Sequence, residues 1–444
     1  MSDTVVVTRP WPTGAAAQAR LPRLLAAGQA GRTDLAHHLA AHGPVPYRGT
    51  PHQLIEEIRA AGLTGRGGAA FPTAVKMTAV AGGRASPVVV GNGAEGEPAS
   101  DKDKHLLSSA PHLVLDGLQL AAEAIGAGRA YLYVHRHDRL RRLLGRALAE
   151  RSAARRDRVA VELVPAPPRF LAGEESALVS RVNRGLALPT FKQPRVFERG
   201  VGGAPTLVQN VETLAHVALI ARHGAAWFRL LGTAEEPGSM LVTCHRADAT
   251  SQVAEVAVGA PLAGLLRLGS SPVQAVLTGG YHGTWVPAAQ AAGLPLSNAA
   301  MRATGAALGA GVLAALPADR CGLAETARVV RYLAAESAGQ CGPCLAGLPR
   351  IADALTRLSA MNPDVALLAH LERWTGLVTG RGACHHPDGT VRFVRTALDV
   401  FGGEIDRHRR GDCAADRARA PFLPVPATPV PATPVGPHRR DHWR

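Results

Sequence analysis

Three of the chain's six cysteines lie in one stretch: Cys341 and Cys344 form a Cys-x-x-Cys pair, and Cys384 follows forty residues later. Three soft thiolates brought together by helices are the donor type of an iron-sulfur cluster, which is held mainly by cysteine and usually by four. A Cys3His zinc site uses the same thiolates, with His385 or His386 as the natural fourth ligand, and three core thiols without metal is the plain structural reading. A second constellation runs from Gly62 to Lys76 and reads Gly-Leu-Thr-Gly-Arg-Gly-Gly-Ala-Ala-Phe-Pro-Thr-Ala-Val-Lys. Its four glycines in seven residues leave a backbone almost free of Cβ bulk, able to lie against a flat or phosphorylated ligand. The ring of Phe71, the hydroxyl of Thr73 and the ammonium of Lys76 follow at once, a combination that suits a nucleotide; a glycine-rich surface turn is the alternative. Two acidic runs carry glycine as well, Gly91-Asn-Gly-Ala-Glu-Gly-Glu-Pro98 and Gly173-Glu-Glu-Ser-Ala-Leu178. In the second the carboxylates open a helix, where they serve either a ligand or the helix dipole. Pro205-Thr-Leu-Val-Gln-Asn-Val-Glu-Thr213, ahead of a helix, is a second candidate anion or ribityl cradle.

The basic residues carry a second signal. Of 49 Lys and Arg only four are lysine, Lys76, Lys102, Lys104 and Lys192, and all four fall within or beside these segments. Lysine's compact ammonium and arginine's planar fork are not interchangeable, so lysine kept in an arginine-rich chain points to sites that need a point charge. The net charge of +14 comes from arginines spread along the chain with no recognisable nucleic-acid module, which argues against a nucleic-acid partner. Few, unevenly placed cysteines exclude a disulfide framework. No apolar run is long enough to cross a membrane, and Met1 to Gly14 lacks the features of a signal peptide, so a cytoplasmic protein is expected.

The positioning elements follow from periodicity. Residues 1–48 read as a flexible arm with one short helix around Leu21 to Ala41. A strand at Ser86–Val90, a helix at Pro111–Ile125, a strand at Ala130–Val134, a basic helix at Arg139–Arg155 and a strand at Val159–Val164 predict a parallel, layered α/β domain. The acidic loop after the first of these strands then stands where open α/β sheets bind ligands. Residues 238–287 predict a small α+β module, the region from Glu325 is helical, and past Arg409 a polar Pro-rich tail, with Val-Pro-Ala-Thr-Pro repeated, should be disordered.

Taken together, residues 50–400 resemble the flavin-binding, NADH-oxidising subunit of bacterial NADH:quinone oxidoreductase, respiratory complex I, and the related diaphorase subunits of NAD-linked hydrogenases and formate dehydrogenases. The family's Gly-Arg-Gly-Gly-Ala-Gly-Phe-Pro-Thr-Gly-x-Lys appears as Gly65 to Lys76, its Asn-Ala-Asp-Glu-Gly-Glu-Pro as Asn92 to Pro98, its Gly-Glu-Glu-Thr-Ala-Leu as Gly173 to Leu178, and its Asn-Asn-Val-Glu-Thr as Gln209 to Thr213. Its Glu-Ser-Cys-Gly-x-Cys-x-Pro-Cys appears as Glu336 to Cys344. The resemblance implies a Rossmann-like FMN/NADH domain at 49–237, a ubiquitin-like β-grasp module at 238–290, a helical iron-sulfur domain at 291–409 and a tail at 410–444. It assigns Gly65, Arg66, Gly67, Gly68, Lys76, Asn92, Glu95, Gly173, Glu174, Gln209 and Asn210 to FMN. By the same resemblance Phe71, Glu97, Glu175 and Lys192 are expected to face NADH, Glu97 and Lys76 to be the groups nearest the chemistry, and Cys341, Cys344 and Cys384 to hold a 4Fe-4S or 3Fe-4S cluster. The resemblance implies that hydride from NADH reduces FMN and that single electrons leave through the cluster to other redox subunits, which would also supply any membrane association.

Five departures stand against that pattern. Ala94 replaces a flavin-contacting aspartate and Gln209 the first asparagine of its pair, while Ala79 and Arg195 take the places of two adenine-packing aromatics. Ala338 stands at the first cluster cysteine, leaving the fourth ligand to His385, His386, water, Cys321 or Cys413. A degenerate paralogue acting as a scaffold, or holding structural zinc, is the competing expectation.

Overall fold

The computed structural model describes residues 21–26, 31, 33–83, 85–190, 193–364, 366–413, 415 and 420–426. Four parallel strands form the first sheet: β1 (Val88–Gly93), β2 (Arg129–His135), β3 (Val161–Ala166) and β4 (Thr206–Asn210), in the order β3-β2-β1-β4. The Val88-Val89-Val90 run of β1 is fully buried, as a central parallel strand covered on both faces must be. Helix Pro111–Ile125 is buried at every residue except Glu123 and packs against helix Val211–Phe228, which follows β4 directly. The register sets Asn92 of β1 opposite Asn210 of β4.

The second sheet contains β5 (Ser239–His245), β6 (Ser251–Ala257), β7 (Val273–Thr278), β8 (Thr284–Pro287) and β9 (Val312–Pro317), in the order β6-β5-β9-β7-β8. Its first and last strands, β5 and β9, pair in parallel at the centre and are flanked by antiparallel neighbours, the β-grasp arrangement. The module therefore runs past residue 290, the end expected from the sequence, because its central strand arrives only at Val312. Helices Gly322–Ala335, Leu348–Leu358, Ala366–Val378 and His386–Val400 then bundle around one apolar core that includes Leu333, Leu355, Leu371 and Val394.

Both ends depart from expectation. The N-terminal helix is Leu35–His42, started by Asp34, whose side chain accepts the His37 N–H at 2.9 Å. Ahead of it Leu24 and Leu25 are buried, and one Glu255 carboxylate accepts the N–H groups of Arg23, Leu24 and Leu25 at 2.8, 2.8 and 3.3 Å, so this part of the arm is anchored. The beginning of the tail is held as well: Leu423 is buried, and Glu325 accepts the N–H groups of Phe422 and Leu423 at 2.8 and 3.1 Å. Residues 427–444, with most of the Pro-rich repeat, lie outside the described residues. Among the described residues no helix is long and apolar enough to cross a membrane.

Candidate functional site

The chain leaves β1 towards β2 and β3, then returns to β4 on the opposite side of β1. Strand order thus reverses between β1 and β4, and the crevice outside their carboxyl ends is the place where such sheets take ligands. Asn92 and Asn210 stand at that point. The Asn210 side chain caps the helix that follows, accepting the Glu212 N–H at 2.9 Å, and its amide donates to Asp103 Oδ2 at 2.7 Å. Asn92 accepts the Ala94 N–H at 3.2 Å and donates to the Gly173 carbonyl at 2.9 Å, joining two motifs that are 81 residues apart. Gly173 is required there by space: a Cβ would stand 2.4 Å from the Ala94 carbonyl oxygen.

The glycine loop closes onto the same crevice. Gly65 N–H donates to the Phe71 carbonyl at 2.8 Å, and Arg66 N–H to Thr213 Oγ1 at 2.9 Å in the first turn of the Val211–Phe228 helix. Gly68 needs to be glycine for its backbone, with φ at +108°. Gly65 and Gly67 do not: neither has positive φ, and a Cβ at either meets nothing nearer than ordinary contacts of 3.5 and 3.4 Å. Their bareness leaves room outside the chain's own packing. Around the loop and the end of β4, Arg66 Nε, Thr73 Oγ1 and Gln209 Nε2 are buried without a hydrogen-bond partner among the described residues. Unpaired buried polar atoms are costly, and these three belong to the glycine loop and to the strand end beside it. Phe71 beside them is 52% exposed, a large ring without a cover.

The carboxylates divide by role. Glu174 caps helix Glu175–Val182, accepting the Ser176 and Ala177 N–H groups at 3.0 and 3.2 Å, so the capping reading holds for this residue. Glu175 pairs with Lys76, whose ammonium also donates to the Val208 carbonyl at 2.8 Å; both side chains remain partly open to solvent. Glu95 is buried, accepting from Ser100 Oγ and from the Asp103 and Lys104 N–H groups, and burial with Asp103 nearby holds its carboxyl above the ordinary range. Glu97 is buried too: its Oε2 accepts the Tyr281 N–H from the β7–β8 turn at 2.8 Å, and burial pushes its carboxyl up to about 7. It stands deeper than a nucleotide-facing carboxylate is expected to stand.

Lys102, buried, donates to Asp103 at 2.7 Å and to Glu212 at 2.9 Å, and Glu212 accepts the Leu241 N–H of β5 at 2.8 Å. Burial alone would lower the lysine's pKa, yet the flanking carboxylates hold it above its ordinary value. This network fixes Asp103, and through it Asn210, and ties the first sheet to the β-grasp sheet. Lysine scarcity flagged Lys102; nothing in the sequence singled out Asp103. Lys192 lies outside the described residues. Ala79 and Arg195 are both exposed. Beside helix Glu175–Val182 opens a cleft of about 580 Å³, lined by Ser176, Ser180, Thr190, Gln193 and Arg199 among others.

At the far end of helix Gly322–Ala335 the cysteines converge. Cys344 and Cys384 are buried and Cys341 is half-buried; burial raises the Cys344 thiol to about 12, and the neighbouring Cys341 and Cys384 push in the same direction. The Ala338 amide is directed at the Cys344 sulfur, which puts residue 338 beside the other three positions. His386 is committed elsewhere, with Nε2 on the Leu333 carbonyl at 2.8 Å and Nδ1 on His282 at 3.0 Å, so it is not the missing ligand. Cys321 opens the helix at its other end, about 21 Å away for fourteen residues, and with it Cys413 is removed from the cluster. A short turn joins this end to the crevice. Phe170 N–H donates to Glu336 Oε2 at 3.0 Å and Arg169 to the Ser337 carbonyl at 3.1 Å, and Gly173 closes that turn.

Residues 58–219 match the family model described as the Nuo51 FMN-binding domain, and residues 324–408 that of the NADH-ubiquinone oxidoreductase-F iron-sulfur binding region. The NADH-quinone oxidoreductase F subunit of Rhodobacter capsulatus is 30% identical over 80% of this chain and 86% of its own length. The chain belongs to the family of NADH-quinone oxidoreductase F subunits. An F subunit of Rhizobium meliloti (strain 1021) is 29% identical, covering 84% of this chain and 91% of that one. Among solved structures, a chain of an NAD+-reducing NiFe hydrogenase in the H2-reduced state superposes with a TM-score of 0.75 at 28% identity, over 85% of this chain and 67% of that one. This family member is a flavin-dependent NADH dehydrogenase with an FMN domain and an iron-sulfur region. Its crevice fits the flavin by the bare Gly65 and Gly67 and the unpaired atoms beside them, and its three thiols fit a cluster that lacks one cysteine.

Proposed function

We propose that this chain is the electron-entry component of a multisubunit redox complex of the quinone-reductase or NAD-linked hydrogenase type, oxidising NADH and passing electrons to other redox subunits. Bound FMN supplies the hydride acceptor and the means of releasing electrons one at a time. The chain's own residues do the positioning. The bare Gly65–Gly68 backbone and the capped N-terminus of helix Val211–Phe228 take the flavin, with Asn92 and Asn210 flanking it at the strand ends. Lys76 presents an ammonium fixed by Glu175 and the Val208 carbonyl, and Glu175 offers a carboxylate to ribose hydroxyls. The exposed Phe71 ring is free to stack on the nucleotide, and Lys192 is assigned to NADH as well.

The observation that carries this reading is the Arg169–Gly173 turn. One end of it, Gly173, accepts a hydrogen bond from Asn92 at the end of β1, while the other is hydrogen-bonded to Glu336 and Ser337, the first two residues of the cluster motif. A scaffold that had lost its flavin would have no reason to keep glycine at 65 and 67, where packing does not require it. On this reading NADH oxidation takes place in the cytoplasm, with membrane association only through partners. The test is flavin uptake and NADH-driven reduction of an artificial dye by the purified protein. Stoichiometric FMN and turnover support the reading; a folded protein that takes up no FMN and reduces no dye overturns it.

A further inference from the structure

Apart from the three cluster cysteines, four potential metal ligands meet at the opposite end of helix Gly322–Ala335. The ligand atoms of Cys321, Glu404, His408 and Cys413 all lie within 4.8 Å of one another. Cys321 Sγ is 3.6 Å from His408 Nε2, which is 3.3 Å from Cys413 Sγ and 3.7 Å from Glu404 Oε2; Cys413 Sγ and Glu404 Oε2 are 3.9 Å apart. A tetrahedral ion with Zn–S near 2.3 Å, and Zn–N and Zn–O near 2.0–2.2 Å, holds its ligand atoms about 3.4–3.8 Å apart. Four of the six separations, at 3.3–3.9 Å, lie close to those tetrahedral edges, and the other two are within 4.8 Å. We propose that Cys321, Glu404, His408 and Cys413 bind one zinc ion in a structural site separate from the iron-sulfur cluster.

The fold delivers each ligand by an identifiable device. Cys321 caps the helix, its sulfur accepting the Ala324 N–H at 3.4 Å. Glu404 and His408 are four residues apart on helix Gly402–Arg409 and so share one face. Glu404 gives Oε2 to the group, while its Oε1 faces Arg407 at 3.8 Å. The chain then reverses: Arg410, Gly411 and Asp412 donate N–H groups back to the Arg407 and His408 carbonyls at 2.9, 3.0 and 3.0 Å, which returns Cys413 over that face. His408 is fully buried, Cys321 is 7% exposed and the Glu404 side chain 12%. Two thiolates, one imidazole and one carboxylate in a closed tetrahedron select zinc rather than magnesium or calcium, which take oxygen-rich shells.

The ion joins the N-terminus of the cluster-bearing helix to the chain that leads into residues 420–426. That segment lies along the same helix, with Arg320 donating to the Ala420 carbonyl at 2.7 Å, Glu325 holding the Phe422 and Leu423 N–H groups, and Tyr281 O–H donating to the Pro424 carbonyl. Zinc is thereby a clamp on the C-terminal segment.

The test is zinc and iron content of the full-length protein purified without chelator, by mass spectrometry, in three forms. Wild type is expected to carry one zinc in addition to its iron. Cys413→Ser, at a half-buried position near the end of the described chain, is expected to lose that zinc while keeping FMN and iron, and to be cleaved faster by trypsin at the arginines beyond residue 410. The combined Cys341→Ser, Cys344→Ser and Cys384→Ser variant is expected to lose iron and keep the zinc. If Cys413→Ser also loses its flavin through misfolding, the combined variant decides alone. A combined variant without zinc, a Cys413→Ser protein with undiminished zinc, or a metal-free Cys321–Cys413 disulfide overturns the proposal.

Discussion

Replacing Glu97 by Gln isolates the cost of keeping a carboxyl buried between the flavin sheet and the β-grasp turn. In the folded chain this group titrates at about 7 against an ordinary value of 4.5, and burial is the main cause, opposed by the Tyr281 and Ala99 N–H groups. Glu95 and Lys104 are the charged neighbours. A difference of that size corresponds to about 3 kcal/mol at 1.36 kcal/mol per pKa unit. The folded state here prefers the neutral acid. Below pH 4.5 both states hold the proton and nothing is lost; between pH 4.5 and about 7 the unfolded chain ionises first, so stability falls as pH rises, and above about 7 the whole cost is present. Glutamine keeps an acceptor for the Tyr281 N–H and cannot ionise. At about 2–4 °C per kcal/mol for a domain of this size, the variant should gain several degrees of melting temperature at pH 8 and almost none at pH 4.5. The assay is differential scanning calorimetry of both proteins across that range, following the transition that contains the flavin domain. A variant destabilised equally at every pH would refute the argument, because it would mean that the charged form of Glu97 is the one the fold uses.

Three further outcomes follow from the site. Gly67→Ala should leave apo-protein melting within about 1 kcal/mol of wild type, since its Cβ meets only ordinary contacts, while FMN affinity falls about tenfold or more; unchanged FMN per chain after dialysis would contradict the crevice. Lys76→Met should lower NADH:dye kcat/KM about 10- to 100-fold through loss of a charge-assisted contact, with Lys76→Arg restoring little of it, and wild-type kinetics in both would show that the ammonium is not used. Ala338→Cys should raise iron per chain and slow loss of the cluster in air without changing FMN content; no change in iron would mean that residue 338 does not face the cluster.

The parallel sheet was legible because Val88–Val90 and Tyr131–Val134 are apolar runs bounded by glycine and polar residues, and the motif loops were legible because each falls at the end of such an element. The hidden parts depend on pairing between distant segments. β9 is a short apolar strand whose central place is set by β5, nearly seventy residues earlier in the chain, with Thr243 opposite Val312. Glu97 reads from the sequence as a ligand carboxylate, and nothing local shows that Tyr281 of the other sheet donates its N–H to it. Leu24 and Leu25 look like part of a loose arm because nothing local shows that Glu255 binds their amides. By residue type His386 is as eligible as His385 to complete the cluster; only the fold puts His282 and the Leu333 carbonyl on its two ring nitrogens. Cys321, His408 and Cys413 carry metal-ligand chemistry in their types but no local spacing, so only the tertiary fold shows that they meet.

Passage of NADH electrons from the flavin crevice to the cluster cysteines through the Arg169–Gly173 turn is tested by an anaerobic NADH titration of the purified protein. Flavin absorbance and low-temperature electron paramagnetic resonance are recorded on the same samples. NADH should bleach the flavin, and an iron-sulfur signal should change in step with it. Protein loaded with both FMN and iron whose flavin bleaches while the cluster signal stays fixed under excess NADH would show that the turn does not connect the two centres.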